Sequence, residues 1–246
     1  MTRQKHSSGL AFISLVVSLL GLGLLPLLIL NPPPSFVIPW QNWLVGTVFI
    51  LICILGIIAG ISPTHCSRSS SKQKSDSDPD SAEDIPPSVV LIRRRGHHPT
   101  CDQYGGHVLI INSRIVCAGC TGLVIGAIIA LIGTGLFFFA GFYFPLVIVI
   151  FWIGWFFVAL GLLQHYLYRL VSLERGEMRL LLNVFFVLGA FLLLATQMQI
   201  TNNLLLAGYL LVLIVYWIFT RIIMSRWSHQ RICTQCGKTD CSLSDA

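Results

Sequence analysis

The chain has 246 residues, 55% of them hydrophobic and 11% charged, with a net charge of +6. A soluble globular domain carries about 25% charged residues, so this composition excludes one and points to a chain whose solvent is mostly lipid. The basic balance suits an anionic membrane surface; no basic stripe with stacking aromatics calls for nucleic acid.

Crossing a hydrocarbon core of about 30 Å takes roughly 20 helical residues. Six apolar runs reach that length: Leu10 to Leu30, Trp43 to Ile61, Thr121 to Phe139, Phe144 to Leu163, Leu180 to Thr196 and Leu204 to Met224. Arg3 and Lys5 precede the first run as in a signal peptide. That run exceeds the usual apolar region of about 7–15 residues, and no small-residue cleavage site follows. "NPPPSFVIPW" comes next and reads as a rigid turn. The first run is therefore expected to stay as a helix. The chain reads as an all-α integral membrane protein with six transmembrane helices and Cys-rich cytoplasmic loops.

Charge sets the expected orientation. Every Lys and Arg falls at the N-terminus, within 62–120, within 164–179, or in the tail from Arg221. With six spans these places share one side. The connections near 31–42, 140–143 and 197–203 hold no charge. The positive-inside rule then puts both termini in the cytoplasm of a multi-pass protein of the cell membrane. Trp40, Trp43, Phe142 and Tyr143 fall where an outer aromatic belt belongs. The expected units are a two-helix hairpin over 1–66 and a polar linker over 67–96. A Cys-rich loop with a four-helix bundle follows over 97–224, then a Cys-rich tail over 225–246. The low-complexity stretch 67–87 has too few apolar residues to fold.

Of the eight cysteines, Cys53 lies within the second span and reads as a small packed hydrophobe. The other cysteines and all the histidines fall on the expected cytoplasmic side, where a reducing compartment disfavours structural disulfides. Clustered Cys and His in that compartment point to Zn²⁺. The first candidate site pairs Cys117 and Cys120 with Cys101 and either His98 or His107, the two pairs separated by a loop of zinc-knuckle length. A CxxC opening the third helix would also meet unsatisfied backbone donors and a positive dipole end, which favour thiolates. Free thiols, or a dithiol redox pair, are the alternatives; no thioredoxin-like pattern surrounds the motif. The second candidate is Cys233, Cys236 and Cys241, with Gly237 suited to a knuckle turn. Its fourth ligand would be His229 locally, or Cys66 or His65 from the end of the second span, with Cys66 slightly favoured. A reactive tail, or one composite cluster including Fe–S, is the competing reading, although the spacings match no ferredoxin pattern.

Within the spans, Gly122, Gly126 and Ala130 share a face, as do Gly56 and Gly60, and such stripes read as helix packing. Asn183 is the clearest polar residue of the fifth span, Gln197 and Gln199 are expected at the outer interface, and Arg221 is expected to snorkel outward. No Asp, Glu, Lys or His falls at mid-depth, which argues against a proton- or ion-coupled transporter. The loop 164–179 reads as a salt-bridged connector or, alternatively, as the lining of a polar site.

The stretch "CDQYGGHVLIINSRIVCAGCTGLVIG" resembles the DUF2085 family of uncharacterised polytopic membrane proteins, through Cys101, Gln103, Cys117, Ala118, Cys120, Thr121, Gly122 and Gly126. Asp102 and Gly119 depart from the family pattern, which has histidine and arginine there. The similarity extends over about 98–192. It implies a membrane protein with a Cys-rich cytoplasmic motif and no particular reaction. The function expected is a scaffold or accessory subunit with one or two structural zinc sites, meeting the bilayer and other membrane subunits. A zinc-dependent membrane enzyme acting on a lipid or isoprenoid, and a thiol redox or metal sensor, are the alternatives.

Overall fold

The computed structural model describes residues 2–34, 38–61, 108–111, 114–171 and 176–236. The helices are α1 (Thr2–Leu30), α2 (Gln41–Ile61), α3 (Ala118–Thr134), α4 (Val147–Val171), α5 (Gly176–Thr201) and α6 (Leu204–Cys236). A π-helical turn, Gly135–Phe139, continues α3. All six helices are long and apolar enough to cross a membrane. A short antiparallel hairpin, β1 (Val108–Ile111) and β2 (Arg114–Cys117), precedes α3 and is the one departure from an all-α chain among the described residues.

These segments are helical because an apolar run removed from water must bond its own backbone, which a helix does within one segment. Their outward faces carry large apolar side chains that stay exposed, such as Leu20, Leu30, Leu55, Ile132 and Val212. Such faces suit hydrocarbon rather than water. The helices end where the local chemistry changes. Asn31 and the following prolines stop α1. Gly141 takes a positive φ of 72° in the connection to α4. Asn202, at φ 46°, makes the short turn from α5 to α6 in a region asparagine tolerates better than most residues.

α5 lies at the centre, with α3 and α4 as its main neighbours. Glycines let these three approach backbone to backbone. A Cβ at Gly122 would collide with Leu180 O, and one at Gly189 would meet Gly154 O at 2.8 Å. The Gly122–Gly126 stripe thus packs on α5, as its spacing suggested. α2 packs on α3, with Gly60 against Val124 and Trp43 edge-on to Phe139.

α1 packs chiefly on α6 rather than on α2. Ser18 and Thr220 share a buried 2.8 Å hydrogen bond, and Trp217 Nε1 donates to Ser18 O. Pro26 lies inside α1 and has no N–H to give the carbonyl four residues back. That carbonyl, Leu22 O, instead accepts from Trp155 Nε1 of α4 at 3.0 Å.

The three charge-free connections meet at one end of the bundle. Asn203 Nδ2 donates to Pro33 O at 2.6 Å, and Gln41 Nε2 donates to Asn202 O at 3.1 Å. Gln199 pairs with the backbone of Phe144 in both directions. Gln197, expected at an interface, is fully buried and donates to Asn203 O. The tight α5–α6 turn folds Asn203 back over it and excludes solvent.

Candidate metal site and the polar end of the bundle

The opposite end of the bundle gathers the start of α3, the end of α4, the start of α5 and the extension of α6. The hairpin sets this end up. Its register pairs Val108 with Cys117 and Ile111 with Arg114. β2 then passes straight into α3. Cys117 is the N-cap residue, extended at φ −71° and ψ 117°, and Cys120 sits in the first helical turn. Thr121 Oγ1 donates to Cys117 O at 2.9 Å and firms that turn. Cys117 thus immediately precedes the helix and Cys120 lies in its first turn, so both thiols start from the same end of α3. Both side chains are half-buried. The Cys117 side chain makes no capping bond.

Gly119, between the two cysteines, lies against Asn183 of α5. A Cβ there would stand 3.7 Å from Asn183 Nδ2 and 4.0 Å from Cys117 Sγ. Asn183 is buried, donates to Arg179 O, and accepts from Arg221 Nη2. Arg221 also donates through Nη1 to Gly161 O at 3.0 Å, and its guanidinium lies 4.6 Å from the Phe186 ring centroid. The expected outward snorkelling of Arg221 does not occur. Gly161 has no side chain to cover its carbonyl, and an acceptor held in an apolar interior binds a charged donor more strongly than one in water.

Gln164 follows one turn after Gly161 and is 5% exposed. Its Oε1 has no hydrogen-bond partner among the described residues. The segment 164–179 therefore begins as helix: α4 runs on to Val171 before α5 starts at Gly176.

The remaining metal candidates divide into two groups. His98, Cys101, His107, Cys66, Cys241 and His65 lie outside the described residues. The backbone of His229, Cys233 and Cys236 is described, and it is helical to the end of α6. The helix reaches Cys236, and the turn expected just after it at Gly237 lies outside the described residues. At a rise of about 1.5 Å per residue, His229 and Cys236 stand roughly 10 Å apart along the axis. One ion with ligand bonds of about 2.0–2.3 Å would therefore draw on positions one turn apart, Cys233 with one of its two neighbours. Among the described residues no three His, Cys, Asp or Glu side chains come together. Cys117 and Cys120 are the candidate pair whose side chains are placed.

The link from Asn183 to Arg221 went unread in the sequence. Its signal is a polar residue near the start of one apolar run and a cation near the end of the next, which antiparallel helices bring level.

No protein-family model matches the chain, and no curated protein or solved structure matches it either. Among the described residues the fold has six helices long and apolar enough to cross a membrane.

Proposed function

We propose that this is a multi-pass protein of the cell membrane, with both termini in the cytoplasm, that acts as a non-enzymatic scaffold or accessory subunit. Its cytoplasmic end is organised by zinc bound through Cys117 and Cys120. The observation that carries this reading is the placement of both thiols on the opening turn of a membrane-length helix, fed by a hairpin. A paired strand and a helix start fix the backbone on either side of Cys117. A zinc ligand set needs that preorganisation, because bound metal otherwise has to order the loop itself.

The hairpin register also supports the ligand pairing. It brings Val108 level with Cys117, and His107 is the residue before Val108 in the sequence. Two thiolates with two of His98, Cys101 and His107 would close a tetrahedral site, and closed sites are structural rather than catalytic. The charge-free connections tied together at one end support the orientation, since the basic residues are left to the other.

The test is a count of reactive thiols in the purified protein before and after chelation. Chelation is expected to release zinc and to expose Cys117 and Cys120 to the reagent together. Equal reactivity before and after chelation would overturn the proposal.

A further inference from the structure

The helices are joined in two different ways. α3, α4 and α5 meet through glycines, with backbone against backbone at Gly122, Gly154 and Gly189. At the polar end, a long side chain of α6 reaches both α4 and α5, the Arg221 guanidinium donating to Gly161 O and Asn183 Oδ1. Both of these acceptors are neutral. The antiparallel packing that sets Gly154 against Leu192 and Gly161 against Phe186 carries Gln164 to the level of Asn183. There Gln164 is nine-tenths buried, and its Oε1 has no partner among the described residues. A buried amide oxygen without a donor is costly, and a ligand can supply what the helices do not.

We propose that this seam between α4, α5 and α6 binds a phosphate group, with Arg221 turning from Gly161 and Asn183 to the phosphate oxygens and Gln164 completing the site. A guanidinium forms paired, charge-assisted bonds to phosphate that are stronger than its bonds to neutral carbonyls. Gln164 serves in either orientation of its amide. Oε1 accepts from a P–OH or a head-group hydroxyl, and the turned amide donates Nε2–H to a phosphate oxygen. The first turn of α3, whose Gly119 touches Asn183, adds the positive end of a helix dipole.

The depth also fits. Gln164 is the last residue of the apolar stretch of α4, and Arg221 lies about two turns before the end of that of α6. A phospholipid resting beside those stretches carries its phosphate at this level. A free phosphate would use the same groups. The Arg221 and Gln164 side chains that carry the site are not among the metal candidates, and their substitution tests it without touching Cys117 or Cys120.

The experiment uses the full chain in a phosphate-free detergent and follows binding and thermal unfolding. Phosphatidic acid is titrated against diacylglycerol of the same acyl chains, and inorganic phosphate is titrated separately. Phosphatidic acid is expected to bind saturably and raise the unfolding midpoint, while diacylglycerol does neither. If inorganic phosphate alone reproduces the effect, the site takes the free ion; if phosphatidic acid is required, it takes a lipid head group. Arg221→Lys should weaken binding at least about tenfold, the scale of a charged hydrogen bond. Gln164→Leu, which removes no hydrogen bond described in the structure, should weaken it several-fold while keeping the fold. The proposal is overturned if phosphatidic acid and phosphate do no more than diacylglycerol, or if Gln164→Leu binds like the wild type.

Discussion

Arg221 of α6 donates through Nη2 to Oδ1 of Asn183 on α5. The same asparagine lies against Gly119, inside the CxxC that opens α3. One buried amide therefore connects the last span to the helix turn that carries the candidate zinc ligands.

The Arg221–Asn183 pair should behave as a unit. Arg221→Met and Asn183→Leu are each expected to destabilise the protein by about 1–2 kcal/mol, the range of interhelical polar contacts in membranes. The double variant should lose less than the sum, with a coupling of about 1 kcal/mol. Unfolding of the four proteins of this cycle in detergent checks it; strict additivity would separate the two residues.

The glycine seam gives a prediction with an internal control. Gly122→Ala places a Cβ against Leu180 O, whereas Gly56 has nothing within 4 Å of its added Cβ. Backbone cannot move aside as a side chain can, so Gly122→Ala should cost about 1–3 kcal/mol. Gly56→Ala should stay within about 0.5 kcal/mol of the wild type. Thermal unfolding of the two variants side by side reads the difference.

Trp155 and Pro26 should also be coupled. Trp155→Phe leaves Leu22 O without its donor, at a cost of about 1–2 kcal/mol. Pro26→Ala restores the backbone N–H that a helix would direct to that carbonyl. Trp155→Phe should therefore cost clearly less in the Pro26→Ala background. An equal cost in both backgrounds would mean that the tryptophan acts through packing alone.

The six long helices were legible in the sequence because an apolar run of about 20 residues has few outcomes other than a helix. The Gly122–Gly126 contact was legible for a related reason, since small residues at helical spacing leave room only for another backbone. What was hidden depends on level rather than pattern. Nothing local to Arg221 says that a bare glycine carbonyl and an asparagine face it from two other helices, so the expected outward course was the reasonable one. The π-helical turn at Gly135–Phe139 and the helical course through Cys233 and Cys236 were hidden as well. A boundary set at Met224 by hydropathy ignores how far a helix propagates beyond its apolar stretch. For the candidate zinc site, spacing identified Cys117 and Cys120, while their N-cap and first-turn positions required the hairpin that delivers them.

Orientation can be read with an impermeant thiol reagent on intact cells. Tyr143 is exposed in a charge-free connection, and Glu177 is exposed at the other end of the bundle. An introduced cysteine at Tyr143 should label from outside, and one at Glu177 only after permeabilisation, as the positive-inside rule requires. The reverse pattern would invert the topology.

The most direct measurement of the central claim is the zinc content of the purified chain, compared between the wild type and Cys117→Ser and Cys120→Ser. A thiolate that closes a structural site is bound up with the folding of its loop. Each substitution is therefore expected to lower the stoichiometry by about one zinc per chain, one ion being held by this ligand set. A wild-type protein purified without zinc, or variants that keep the full wild-type content, would contradict the assignment of Cys117 and Cys120 as ligands.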